Sequence, residues 1–142
     1  MRRLLVAIDS SDNSIRALQF AIDLAREHKA IELHLVHAHE PPMLYDEIAV
    51  YLSEAKAREA RRSRSEDILK PAVTLAKAAN VPCKSEILIG DVPGTIVQYA
   101  EDNACQWIIM GTRGMGTIAN LLIGSVATKV IHLTKLPVTL VK

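Results

Sequence analysis

The residues best placed to do chemistry in this sequence are glycines. Gly111-Thr112-Arg113-Gly114-Met115-Gly116 follows a short apolar run, and Gly124-Ser125 precedes the next helical pattern. Glycine tolerates positive φ and lets backbone come close to a ligand. A helix capped by Ser125 points the N–H groups of Val126, Ala127 and Thr128 out of its first turn, and the Ser125 hydroxyl adds a donor. A helix N-terminus carries about half a positive charge, which suits this arrangement to a phosphate. The charge distribution agrees. From Asn103 to Lys142 there is no Asp or Glu, whereas Arg113, Lys129, Lys135 and Lys142 are positive. The alternative is a loop whose glycines serve only turns.

Two motif matches in the same stretch fail on chemistry. Gly114-Met115-Gly116-Thr117-Ile118-Ala119 fits the dinucleotide fingerprint, but no acid follows to hold a ribose. Gly111 and Gly116 have the glycine spacing of a phosphate-binding P-loop, but Thr117 stands where the lysine belongs. Without that lysine, efficient P-loop NTPase chemistry is not expected. His37 and His39 share one face of a strand, yet no third metal ligand accompanies them, so packing or solvent contact is the expectation. The run from Glu54 to Lys70 alternates basic and acidic residues and reads as a solvated helix face.

These residues need elements to hold them, and the pattern alternates strand and helix throughout. Leu4 to Ile8 is a continuous apolar run, the mark of a strand buried on both faces. Ser11 can cap a helix in which Ile15, Leu18, Ile22 and Ala25 recur at helical spacing. Ile31 to Ala38 is a second strand, and His39 to about Ile48 a loop. A long helix is expected from about Val50 to Ala79, kinked or broken at Pro71. Cys83 to Ile89 is a third strand. Asp91 caps a further helix with Pro93 in its first turn. Trp107 to Met110 and Val138 to Val141 are the remaining strands, with a helix from Ser125 to about Leu133 between them. Strands joined by helical crossovers imply an α/β fold, a parallel sheet covered on both faces. Ligands bind such sheets at the C-terminal strand ends, where the strand order reverses.

The spacing Gly111-x2-Gly114-x9-Gly124-Ser125 resembles the ATP-binding signature of the universal stress protein (UspA-like) family. The likeness extends along the chain through Leu5-Val6-Ala7-Ile8-Asp9-Ser10-Ser11, Val36-His37-Ala38, Gly90-Asp91-Val92-Pro93 and Leu136-Pro137-Val138. It implies a single domain over residues 1–142, a three-layer sandwich whose five-stranded parallel sheet has the order 3-2-1-4-5. The switch point then falls between the first and fourth strands, with Asp9 and Gly111 facing each other. By the same resemblance, adenine and ribose lie near Ala7, Ile8, Asp9 and Ala38. Ribose and phosphates are lined by Met110, Gly111, Arg113, Gly114, Gly124, Ser125 and Val126. Asp9 either accepts from the nucleoside or caps the helix that follows. Arg113 reaches either the phosphates or water. Mg²⁺ is implied only as a companion of the triphosphate, since no carboxylate cage surrounds the loop. Strand order 3-2-1-4-5 also separates Cys83 from Cys105 too far for a disulfide. The resemblance also implies a homodimer through the last strand, here Val138 to Val141, since family members commonly form one there.

Composition narrows the function classes. The 142 residues suit one domain, and a formal net charge of +1 gives no electrostatic reason to expect nucleic acid as a partner. Aromatics at 4% are too few for base-stacking platforms. No apolar run approaches the ~20 residues of a membrane span, and the short run after Arg2-Arg3 lacks the features of a secretory signal, so a cytoplasmic protein with reduced cysteines is expected. The leading expectation is an ATP-binding regulator in a stress response, acting on a protein partner that the sequence does not name, with little or no hydrolysis. An adenine-nucleotide α-hydrolase would carry a glycine pair after the first strand, where this chain has Asp9-Ser10-Ser11-Asp12-Asn13-Ser14. A phospho-acceptor receiver domain would need Asp9, Asp91 and Lys135 in roles that a helix cap and a pre-strand position do not fit. An interaction module that binds no nucleotide is the remaining alternative.

Overall fold

The computed structural model describes residues 1–41, 47–113 and 122–142, with backbone alone for 47–53. The elements in chain order are β1 (Arg2–Ala7), α1 (Asp12–Glu27), β2 (Ile31–His39), α2 (Glu47–Ala78), β3 (Cys83–Ile89), α3 (Val92–Asp102), β4 (Trp107–Gly111), α4 (Ser125–Leu133) and β5 (Val138–Val141). The strands form one five-stranded sheet ordered β3-β2-β1-β4-β5, and every pairing is parallel. This is the expected three-layer α/β sandwich.

Alternation along the strands assigns the two faces. Leu33 and Leu35 of β2, with Leu4 and Val6 of β1, pack under α1 and α2 with Leu18, Ile22, Leu69 and Ala72. Leu5, Val36, Ile108 and Met110 face the other way, under α3 and α4 with Ile96, Ala100 and Val130. His34 is buried on that second face, where Tyr99 Oη lies 3.0 Å from one ring nitrogen and Glu32 Oε1 2.9 Å from the other. Cys83 and Cys105 are both free. Burial pushes the Cys105 thiol up to about 11 and raises that of Cys83.

Local chemistry explains most boundaries. Ser11 caps α1, its hydroxyl accepting from Ser14 N–H at 3.2 Å. Asp91 caps α3, accepting from Gly94 N–H at 3.0 Å, and Pro93 sits in the first turn, where no N–H is needed. Two expectations change. The last helix is capped by Gly124, with Ser125 already inside it and no side-chain cap. In addition, α2 starts at Glu47, earlier than the loop reading allowed, and of the kink or break expected at Pro71 the break does not occur, since the helix continues through it. Its buried stripe, Ser65, Leu69, Ala72 and Ala76, crosses the proline and holds both halves on the sheet. That packing outweighs a proline cost of about 3 kcal/mol. Part of the expected loop, residues 42–46, lies outside the described residues.

Candidate functional site

The ends of β1, β2 and β4 open into a cleft of about 590 Å³. It sits where the strand order reverses, with β2 leaving β1 on one side and β4 on the other. Its walls bring together residues far apart in the chain. Ala7 comes from the end of β1 with Ile8 and Asp9 just beyond it, Ala38 from β2, Met110 and Gly111 from β4 with Arg113 just beyond it, and Gly124, Ser125 and Val126 from the start of α4. Gly114 lies outside the described residues, as do Met115, Gly116 and Thr117 of the two rejected motifs.

The β1 end is a rigid turn. Asp9 Oδ1 accepts from Ser11 N–H at 2.7 Å and from the Ser11 hydroxyl. The Ser14 hydroxyl donates to Asp9 O at 2.8 Å, and Asp9 N–H donates to Ser14 Oγ at 3.2 Å. Asp9 thus shapes the entry to α1 and also lines the cleft. Among the described residues, no donor reaches its second oxygen, Oδ2.

The β4 end is closed by two backbone bonds on one residue. Thr112 N–H donates to Val141 O at 2.9 Å, and Thr112 O accepts from Gly124 N–H at 2.6 Å. This clasp sets the first turn of α4 beside the end of β4. The turn's outward donors are shifted by one from expectation. Thr128 N–H is used, donating to Gly124 O at 3.0 Å. The N–H groups of Ser125, Val126 and Ala127 have no backbone acceptor among the described residues. No Asp or Glu follows Asp102 in the chain, so the positive end of α4 meets no acid from its own strand-loop-helix unit.

Between these ends lies an apolar floor of Val36, Ile96 and Met110, all buried. A flat ring could pack against it. His37 and His39 also line the cleft, with ring centroids 6.1 Å apart. His37 Nδ1 is 2.8 Å from Ile8 O, and His39 Nδ1 is 2.9 Å from Glu40 O. A carbonyl only accepts, so each Nδ1 carries the proton. Burial, with the neighbouring His39 and Arg61 adding to it, holds the His37 imidazole below its usual range, against the Ile8 carbonyl and Asp9. Its Nε2 is therefore a lone-pair acceptor near neutral pH. Among the described residues, no group of three His, Cys, Asp or Glu could hold a metal.

Arg61 and Arg64 of α2 line the cleft as well. Sequence reasoning missed them because they stand in a run that reads as solvated. A signal was present: Arg61 is one turn before buried Ser65, at the head of the stripe that continues through Leu69 and Ala72.

Comparison with known proteins bears on this arrangement. The chain matches the model of the Universal stress protein family over residues 1–142. A universal stress protein of Thermus aquaticus, from the region 3′ of a QAH/OAS sulfhydrylase, is 34% identical over 142 residues, covering 99% of this chain and 98% of that one. Universal stress protein UspA from Lactobacillus plantarum superposes with a TM-score of 0.87 at 21% identity, covering 99% and 97% of the two chains. The universal stress protein from Archaeoglobus fulgidus, solved in complex with dAMP, superposes with a TM-score of 0.70 at 25% identity, covering 100% and 98%. The chain belongs to the universal stress protein family.

Proposed function

We propose that the cleft binds an adenine nucleotide, ATP in its fullest form, and that the protein is a nucleotide-dependent regulator in a stress response. The observation that carries this reading is the convergence of the first-turn N–H groups of α4, without backbone acceptors among the described residues, with Asp9 and an apolar floor in one cleft at the switch point. Amides of Ser125, Val126 and Ala127 receive the phosphates, aided by the Ser125 hydroxyl and by Gly111, Arg113 and Gly114 of the loop. The base lies over Val36 and Met110 near Ala7, Ile8 and Ala38, and Asp9 Oδ2 accepts from the ribose. The dAMP bound by the Archaeoglobus relative supports the class of ligand. Mg²⁺ accompanies the triphosphate, held by phosphate oxygens and water rather than by a protein cage.

Hydrolysis is slow or absent in this reading. The acid and the imidazoles of the cleft stand at the ends of β1 and β2, whereas the terminal phosphates lie at α4. The reading also takes the protein to act in the cytoplasm on a protein partner, as a homodimer. The edge position of β5 supports the dimer: Val138 to Val141 are half-buried and, among the described residues, pair only with β4.

Ser125→Glu tests the site. Ser125 is exposed, and an acid in a helix's first turn favours the helix dipole, so the fold should keep or gain stability. The same carboxylate opposes a bound phosphate. Calorimetric titration should show ATP affinity falling by about tenfold or more, a change of ~1.4 kcal/mol, with an unchanged circular dichroism spectrum. Unchanged affinity refutes the phosphate assignment.

A further inference from the structure

The cleft has a second charged wall that the phosphate end does not explain. On α2, Arg58 is engaged by Glu54, and Arg62 by Glu66 at 3.2 Å, each one turn away. Arg61 and Arg64, between and beside them, turn toward the cleft instead, and among the described residues no carboxylate lies within ion-pair distance of either. Among the described residues, the acids that share the cleft are Asp9, with one oxygen committed to Ser11, and exposed Glu40. Among the described residues, the two guanidinium groups thus line a cleft whose acids do not pair with them.

Their position in the fold matters. α2 packs over β2 and β3, whereas α4 and Arg113 belong to the β4 side. With β1 between them, β2 and β4 are two strand spacings apart, about 10 Å. A phosphate chain seated on α4 therefore leaves the α2 wall unanswered. Beside that wall, His39 is 7% exposed, and its Nε2 is buried without a partner among the described residues. In the neutral ring whose Nδ1–H points to Glu40 O, this nitrogen is an acceptor that a donor would satisfy. The β2 side of the cleft therefore calls for a group that brings negative charge and a hydroxyl or amine together. A phosphorylated ribose offers both on adjacent carbons.

We propose that Arg61 and Arg64 form a second anion subsite for a phosphate on the ribose of an adenine nucleotide whose 5′ phosphates lie at α4. The subsite rests on the reading that this cleft binds adenine nucleotides. Arginine suits it because its planar fork matches phosphate oxygens bidentately.

The test is calorimetric titration of the full chain with AMP, adenosine 3′,5′-bisphosphate and ATP, repeated with R61Q/R64Q and with R62Q. The wild type should bind the bisphosphate about tenfold or more tighter than AMP. In R61Q/R64Q that ratio should fall to about one, and in R62Q, altered on the outer face, it should persist. Equal wild-type affinities for AMP and the bisphosphate overturn the subsite while leaving the nucleotide site standing. So does a ratio that survives in the double variant. A double variant that loses ATP affinity but keeps the bisphosphate ratio assigns the arginines to the 5′ chain and also overturns it. Failure of the wild type to bind AMP, ATP or the bisphosphate removes both this subsite and the proposed function.

Discussion

A Cβ built on Gly111 would stand 2.8 Å from the Cβ of Asn13 and 3.1 Å from its carbonyl carbon. The sequence suggests that this glycine lets a ligand approach. The structure gives it a second duty, to let the first turn of α1 press against the end of β4. A substitution at Gly111 therefore disturbs packing before it says anything about a ligand, and exposed Ser125 is the cleaner probe. His37 offers a different test at this scale. Burial depresses its pKa below 6.5 in the folded protein, so on acidification the unfolded chain takes up the proton first. The stability from the neutral ring is fully present above about 6.5 and is lost as pH falls through the lower folded value. Urea midpoints should drop between pH 7 and 5, and His37→Gln should flatten that part of the profile. A wild-type profile no steeper than the variant's would show that the ring is not held neutral.

At the scale of the element, α2 carries the clearest prediction. Pro71 is exposed and leaves the Asp67 carbonyl without its helical donor. Pro71→Ala restores that bond without touching the buried stripe. Thermal melting should show a gain of stability of about 1–3 kcal/mol, and a loss would mean that the proline shapes the helix in a way the sheet requires. This helix also shows where sequence reading ends. Ser11 and Asp91 are legible as caps because short side chains at helix starts act locally. The run Leu4 to Ile8 is legible as a buried strand because nothing polar interrupts it. The persistence of α2 through Pro71 is not, because burial of Leu69, Ala72 and Ala76 on the sheet decides it. The cap of α4 falls on Gly124 rather than Ser125, a shift of one residue that moves the outward donors from Val126–Thr128 to Ser125–Ala127. Arg61 and Arg64 reach the cleft because a long helix brings its middle over the strand ends, and charge pattern carries no information about that.

At the scale of the whole molecule, strand alternation predicts a parallel sheet, but the order 3-2-1-4-5 came only with the likeness to a family. Many orders satisfy the same hydrophobic pattern. That order places β5 at an edge, and the proposed homodimer can be checked there. Sedimentation velocity at micromolar concentration should give twice the chain mass, and a monomer throughout would leave the β5 edge without its mate. Among the described residues no helix is long and apolar enough to cross a membrane.

The uniform direction of the strands has a practical consequence. Met1 is 75% exposed and precedes β1, so it stands at the end of the sheet away from the cleft. Lys142 follows β5 and stands at the other end, its carbonyl gripped by Arg16 Nε at 2.6 Å. A protein tethered to a sensor chip through its first residue would turn the cleft toward the flowing solution. Tethered through its last residue, it would strain the Arg16 contact and crowd the mouth it was mounted to display.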